Sequence, residues 1–137
     1  MLVSTKGRYA MQIMIDLAQH NNGDYIVLMD IANRQHISEK YLESIVAALS
    51  RAGFLIAQRG RGGGYRLARE PEEYTAWEII RATEGPLATV SCLKTEDNEC
   101  PRAEECVTLP LWEGLDRRMS EYLGSISLRD VVDGNIQ

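Results

Sequence analysis

Apolar residues recur at helical spacing along the first third of the chain and predict three successive helices. The predicted helices cover residues 5–21, 28–34 and 38–52. Thr5 and Ser38 are the predicted N-caps of the first and third helices, because a hydroxyl oxygen can accept a hydrogen bond from a free backbone N–H there. About four residues join the second and third helices, and Ile37 supplies an apolar side chain for the corner. Two helices joined in this way predict a helix-turn-helix.

Two short strand-like runs, with a glycine-rich segment between them, follow the third helix. Residues 54–58 are mostly apolar, and residues 65–68 alternate as a returning strand. The connecting segment, Arg59–Gly64, contains four glycines, and the backbone entropy of glycine makes a helix or a central strand costly there. The pattern therefore predicts a β-hairpin with a basic tip, and the order of elements is that of a winged helix.

The remainder of the chain is predicted to hold three helices and a long loop. The predicted elements are a helix over 75–83, a loop over 85–109, a helix over 110–123 and a short helix from 127 onward. Capping boxes at Thr75 and Ser127 mark two of the helix starts, and Pro110 suits the first turn of the longest helix.

The helix over 110–123 has a stripe of apolar residues that the predicted core does not need. Such a stripe at the end of a small winged helix most often packs against a second subunit. The residues predicted to form this dimer interface are Leu111, Trp112, Leu115, Met119 and Tyr122.

Charge is distributed unevenly along the chain. Residues 1–70 carry 9 basic and 6 acidic residues, whereas residues 71–137 carry 6 basic and 14 acidic ones, and the net charge is −5. A basic N-terminal half indicates a partner such as nucleic acid, although two solvated surfaces would have the same composition.

No apolar run approaches the ~20 residues of a membrane-spanning helix, and the first residues lack a signal-peptide stretch. We therefore expect a cytoplasmic protein without membrane contact.

The helix-turn-helix and the hairpin carry the candidate DNA-binding residues. A helix in the major groove must present polar side chains near its N-terminus, and an arginine on a slim glycine backbone can approach the minor groove. Arg66 and Arg69 would add phosphate contacts. The glycine run matches neither a dinucleotide-binding loop nor a Walker phosphate loop. The predicted DNA-binding residues are Ser38, Glu39, Lys40, Tyr41, Ser44, Arg59, Arg61 and Gly62.

All three cysteines lie in the predicted loop, with seven residues between Cys92 and Cys100 and five between Cys100 and Cys106. Three thiols cannot all pair, and a cytoplasmic chain does not normally hold structural disulfides. Clustered thiolates suit an iron–sulfur cluster or zinc, and a metal-free thiol switch is the third interpretation. A structural zinc site needs a fourth cysteine or histidine nearby, and His20 and His36 are distant in sequence, which favours the cluster.

Several motifs in register resemble the Rrf2 family of dimeric bacterial winged-helix regulators. The similar segments are Ser4–Ala10, Ile37–Glu43, Gly53–Leu55, Arg59–Tyr65 and Glu84–Pro86. Three cysteines before a tryptophan-bearing helix resemble the IscR-like branch of that family, in which cysteines hold an iron–sulfur cluster. The resemblance implies that Cys92, Cys100 and Cys106 are cluster ligands, with a 2Fe–2S cluster preferred to a 4Fe–4S cluster. IscR-like members place a histidine ligand where this chain has Leu109, so the fourth ligand is unassigned.

The sequence therefore predicts a homodimeric transcriptional repressor that binds a pseudo-palindromic operator on double-stranded DNA and senses cluster status, redox conditions or nitric oxide. The predicted fold class is mainly α with a small β-hairpin, a winged helix-turn-helix followed by a long C-terminal dimerisation helix. Its predicted parts are a DNA-binding domain over 1–84, a cluster-binding loop over 85–109, and the dimerisation helix with the C-terminal tail over 110–137.

Two other interpretations remain open at this point. A CymR-like regulator would hold no metal and would respond through a thiol switch or a partner protein. A small iron–sulfur or zinc redox protein would use the winged helix for protein contacts instead of DNA. The sequence has no His–carboxylate–nucleophile set, no paired-carboxylate motif and no phosphate loop, so we do not expect an enzyme.

Overall fold

The computed structural model describes residues 3–137, and the helices and strands follow the predicted order. The helices are α1 (Thr5–Gln19), α2 (Leu28–Gln35), α3 (Glu39–Arg51), α4 (Ala76–Glu84), α5 (Leu109–Gly124) and α6 (Leu128–Asp133). The strands are β1 (Leu55–Gln58) and β2 (Gly64–Leu67), and short 3-10 turns cover Pro71–Glu73, Ser91–Leu93 and Ala103–Glu105. None of the helices in this part of the chain is long and apolar enough to cross a membrane.

The N-cap of α1 is Ser4, so the prediction of Thr5 was wrong. Ser4 has the extended backbone that a cap needs, and its Oγ accepts a hydrogen bond from the Gly7 N–H at 3.4 Å. The backbone N–H and the hydroxyl of Ser4 both donate to Oε1 of Glu84, at 2.8 and 2.5 Å. The contact with Glu84 at the end of α4 explains why Ser4, and not the neighbouring Thr5, is the N-cap. The helix also ends two residues before the predicted position, with His20 as its C-cap.

The helix-turn-helix has the predicted corner. His36 ends α2 in the left-handed conformation, with φ at 55°, and Ile37 is buried in the corner. Ser38 then caps α3, because its Oγ accepts a hydrogen bond from the Tyr41 N–H at 3.3 Å. The connection is three residues long, one fewer than expected, because α2 continues to Gln35.

The wing consists of β1, β2 and the turn over residues 59–63, and it is attached to the segment that precedes α2. The two strands pair antiparallel, from Leu55 opposite Leu67 to Gln58 opposite Gly64. Ile26 exchanges two backbone hydrogen bonds of 2.8 Å with Tyr65. Gly64 has a φ of +148° and lies against the Ile26 carbonyl, where a Cβ would collide. The position of the wing is therefore fixed relative to the helix-turn-helix.

The hydrophobic core surrounds α1 and includes the C-terminal helix. Buried side chains of α1 share one cluster with residues of α2, α3, the wing, α4 and α6. Leu128 of α6 is fully buried in it, and its N–H donates to the Tyr74 carbonyl at 2.9 Å. The capping boxes at Thr75 and Ser127 are both confirmed. The last helix is thus part of the same core as the N-terminal helices.

We expect Gly64→Ala to lower the free energy of unfolding by about 1–3 kcal/mol, because the new Cβ would meet the Ile26 carbonyl and the backbone conformation disfavours L side chains. Urea unfolding followed by circular dichroism measures this effect. Gly124→Ala is the control, since no atom lies within 4 Å of a Cβ at that position. Equal unfolding midpoints for wild type and Gly64→Ala would contradict the close approach.

Candidate DNA-binding surface and cysteine loop

The N-terminal turn of α3 presents a polar, solvent-exposed surface. Ser38, Glu39, Lys40 and Ser44 are exposed, whereas Leu42, Ile45 and Val46 face the core. The Ser38 oxygen accepts the capping bond, so its hydroxyl hydrogen is left to donate to an anionic group. The free N–H groups of the first turn point in the same direction, as phosphate binding at a helix N-terminus requires.

Tyr41 differs from the other predicted α3 residues, because it is half-buried. Its ring packs edge-to-face against Tyr9 of α1, with 5.7 Å between the ring centroids. Its carbonyl accepts a hydrogen bond of 2.7 Å from the Ser44 hydroxyl. Tyr41 therefore belongs to the edge of the core as well as to the candidate DNA-binding surface.

The tip of the wing carries two exposed arginines on a narrow backbone. Arg59 and Arg61 are exposed and pair with no carboxylate among residues 3–137. Gly60 and Gly62 have φ values of +87° and +76°, which form the turn at positions where an L side chain would be strained. The absence of Cβ atoms there keeps the tip slim enough to approach a groove of DNA.

Arg66 and Arg69, which were predicted to contact phosphate, make contacts within the protein. Arg66 donates to the Gly23 carbonyl at 3.1 Å. The Arg69 guanidinium lies 4.5 Å from the centroid of the Tyr74 ring, and Nη1 donates to the Glu73 carbonyl at 3.2 Å. Both arginines stabilise the base of the wing through these contacts, and their contact with phosphate stays a prediction.

Asp16 forms a buried polar cluster that the sequence analysis missed. Its side chain is 1% exposed, and it accepts hydrogen bonds from Arg34 and Gln35, the last two residues of α2. Burial raises the pKa of the Asp16 carboxyl, but the hydrogen bonds and the Arg34 charge outweigh burial and hold the pKa below its ordinary value. The sequence contains a signal for this cluster, because Asp16 is an isolated aspartate on the apolar face of α1. Helical spacing does not identify its partners, since Arg34 and Gln35 belong to another helix.

The cysteine loop, residues 85–108, brings two of its three thiols to one pocket. The pocket has a volume of about 370 Å³, and the residues that line it are Cys100, Arg102, Glu105, Cys106, Val107 and Thr108. Cys92 lies in the 3-10 turn Ser91–Leu93 and does not line this pocket. All three thiols are free and half-buried. Within residues 3–137 no three side chains of His, Cys, Asp or Glu are grouped as metal ligands, so the arrangement shown is not an assembled metal site.

The surroundings of Cys106 favour the thiolate form of its side chain. The Thr108 hydroxyl, 3.4 Å from Sγ, lowers the pKa of the Cys106 thiol, and the N–H groups of Thr108 and Leu109 and the charge of Arg102 act in the same direction. A thiolate is both the nucleophilic form and the metal-binding form of cysteine. The donor chemistry of this loop therefore fits a thiophilic metal or cluster.

The helix α5 leaves its apolar residues largely uncovered. No residue of α5 is buried within the chain, and Leu111, Leu115 and Tyr122 are 62%, 43% and 49% exposed. Trp112 and Met119 are half-buried. The adjoining Val107 is 93% exposed, which extends this apolar surface into the cysteine loop.

Residues 3–134 match the Rrf2 family, whose description is "Iron-dependent Transcriptional regulator". The chain belongs to the Rrf2 family. The IscR regulator of Aliivibrio salmonicida is 38% identical over 138 residues, which cover all of this chain and 81% of the relative. A putative HTH-type transcriptional regulator of Haemophilus influenzae is also 38% identical, over 97% of this chain and 87% of the relative.

Two solved structures of Rrf2 regulators resemble the whole chain. T. potens IscR is 40% identical with a TM-score of 0.77, covering 98% of this chain and 88% of that chain. CymR, the global cysteine regulator of B. subtilis, is 36% identical with a TM-score of 0.78, and 97% of each chain is covered. These similarities confirm the winged helix-turn-helix fold and the predicted resemblance to IscR. This Rrf2 protein is thus a DNA-binding transcriptional regulator, and its homologues are transcriptional regulators, which are not enzymes.

In the metal-free protein we expect Cys106 to react with iodoacetamide faster at neutral pH than Cys92 and Cys100, because a lowered pKa enlarges the thiolate fraction. Mass spectrometry of the peptides over time measures the three rates separately. Thr108→Val keeps the side-chain shape and removes the hydroxyl, so it should slow only the reaction of Cys106. A Cys106 rate that Thr108→Val leaves unchanged would show that the hydroxyl does not activate the thiol.

Proposed function

We propose that this Rrf2 regulator binds operator DNA with the N-terminal turn of α3 in the major groove and the tip of the wing against the adjacent minor groove. The observation that carries the proposal is the joint geometry of α3 and the wing. Backbone bonds between Ile26 and Tyr65 tie the wing to the segment before α2, so the two surfaces approach DNA as one unit. Their polar and basic side chains are exposed, while apolar residues of both elements are in the core.

The uncovered apolar face of α5 supports a homodimer as the DNA-binding species. Leu111, Trp112, Leu115, Met119 and Tyr122 would pack against the same face of a second copy, as a two-fold symmetric interface requires. Two copies related in this way bind half-sites separated by a whole number of helical turns, so the operator would be pseudo-palindromic.

Arg61→Ala should weaken binding to the operator and lower the dependence of affinity on salt, because each lost phosphate contact reduces the slope by about one unit. The operator is first selected from a random-sequence duplex library with the wild-type protein, and affinity is then measured by fluorescence anisotropy at several salt concentrations. Arg117→Ala removes the same charge from exposed α5, on the side opposite the apolar stripe, and is the control.

Unchanged affinity and salt slope for Arg61→Ala would contradict the role of the wing. Equal losses for Arg61→Ala and Arg117→Ala would show that net charge, not the position of Arg61, determines binding. The selected sequence tests the dimer at the same time, since a single asymmetric half-site would contradict a two-fold symmetric complex.

The cysteine loop is the proposed sensory site, with Cys92, Cys100 and Cys106 as ligands of an iron–sulfur cluster. The resemblance to IscR and the soft sulfur donors support this assignment, and the thiolate character of Cys106 suits a ligand. Cys100 and Cys106 already line one pocket, so Cys92 is the ligand that has to move toward it. The bound cluster would supply a redox-sensitive and nitric-oxide-sensitive centre, with 2Fe–2S the proposed type and the fourth ligand still to be found.

The position of the loop in the chain supports coupling between the sensory site and DNA binding. The loop begins after α4, which packs in the core, and ends at α5, which carries the uncovered apolar face. The Thr89 N–H donates to Asp116 of α5 at 2.8 Å, which joins the start of the loop to the middle of that helix. A change in the ligation of the cysteines would shift α5 relative to α4 and so alter the spacing of the two DNA-binding units.

Anaerobic reconstitution should yield a brown protein with matching amounts of iron and sulfide, because the loop supplies three thiolates but not the fourth cysteine or histidine that a structural zinc site needs. Visible absorption and assays for iron, sulfide and zinc on the same sample measure this. Cys92→Ala, Cys100→Ala and Cys106→Ala should each lose iron and sulfide, whereas Ser91→Ala should retain both.

A colourless, metal-free protein after reconstitution would contradict the cluster and leave a thiol-switch regulator. Zinc in place of iron and sulfide would contradict the cluster and leave a zinc-binding regulator. In both cases DNA binding through α3 and the wing would stand as a separate result.

A further inference from the structure

We infer that Asp16 is the positioning residue of the helix-turn-helix, and that its buried carboxylate sets the sequence specificity of DNA binding rather than protein stability alone. The inference rests on the proposed use of α3 to read DNA. It concerns a residue of α1 that lies outside the candidate DNA-binding surface and outside the cysteine loop.

The Asp16 carboxylate binds the C-terminal end of α2, directly before the turn to α3. Arg34 donates from Nε to Oδ2 at 3.0 Å and from Nη2 to Oδ1 at 2.7 Å, and Gln35 donates to Oδ2 at 2.9 Å. The left-handed residue His36 follows at once, and α3 begins three residues later. A two-pronged Arg–carboxylate pair is planar and directional, so it restricts both the distance and the orientation of α2 relative to α1.

A charged side chain is not needed to fill this buried position. The hydrogen bonds from Arg34 and Gln35 offset the desolvation cost of the carboxylate, but well-packed apolar replacements of buried ion pairs are often neutral or stabilising as well. The neighbours of Asp16 on α1, Ile13 and Leu17, are buried apolar residues of the kind that such a replacement would extend. What the ion pair adds is a defined geometry at the end of α2.

Specific and non-specific DNA binding depend on this geometry to different degrees. Hydrogen bonds to base edges require α3 in one register and orientation, whereas attraction to phosphates depends mainly on the number of basic residues. Loosening the attachment of α2 would therefore reduce specific binding and leave non-specific binding in place. Partial unfolding, by contrast, would reduce both in the same proportion.

The test compares binding to the duplex selected by the wild-type protein with binding to a scrambled duplex of the same composition. Asp16→Asn should lower the ratio of the two affinities by about tenfold or more, comparable to the loss of one good base contact. Arg34→Lys keeps the positive charge and removes the planar fork, so it should lower the ratio as well. Leu128→Ala is the matched control, because it removes a fully buried side chain of the same core from α6, which is outside the helix-turn-helix and the wing. It should reduce stability without changing the ratio.

Urea unfolding of each variant gives the folded fraction by which its affinities are corrected. An unchanged ratio for Asp16→Asn or for Arg34→Lys would overturn the inference, as would an equal fall in the ratio for Leu128→Ala. If the wild-type protein selects no sequence, the proposed DNA-reading function fails and this inference fails with it. A wild-type protein that selects a sequence, together with an unaltered ratio in Asp16→Asn, would overturn this inference only.

Discussion

The burial of α1 is the constraint on which the rest of the structure depends. Its apolar face, with Ile13, Met14 and Leu17, is the surface on which the helix-turn-helix, the wing and α6 meet in one core. The hydrogen bonds of Asp16 are directional, whereas the hydrophobic contacts on the rest of this surface are not. Since α3 and the wing, the elements proposed to contact DNA, both pack against α1, the distance between α3 and the tip of the wing depends on how this one helix is packed.

The same helix links the two functional regions of this Rrf2 regulator. Glu84, the last residue of α4, accepts two hydrogen bonds from Ser4 at the start of α1, and Leu128 of α6 is buried against the same core. The cysteine loop therefore leaves α4 from a fixed point, while its other end continues into α5, which is not buried. The acidic C-terminal half thus has one end attached to the DNA-binding unit and one apolar face available for a second subunit.

Local signals in the sequence were enough to predict the order of the elements. The caps at Ser38 and Thr75 depend on residues within three positions, so spacing alone reveals them. Contacts between distant segments could not be predicted in this way. Ser4 is the N-cap because a carboxylate from α4 binds it, and the partners of Asp16 are 18 and 19 residues away. The contact of Arg69 with the Tyr74 ring at the base of the wing is likewise visible only in the fold. The cysteine loop has no regular hydrophobic period. Its sequence therefore indicates sulfur donors but does not predict how these donors are arranged in space.

Methylation interference at guanine N7 and adenine N3 of the selected duplex reports contacts in each groove separately, because these atoms lie in the major and minor grooves. If α3 and the wing both read DNA, we expect two patches of N7 interference about one helical turn or a multiple of it apart, each with N3 interference beside it where the wing lies. If methylation in neither groove reduced binding, the result would contradict a regulator that reads DNA through α3 and the wing.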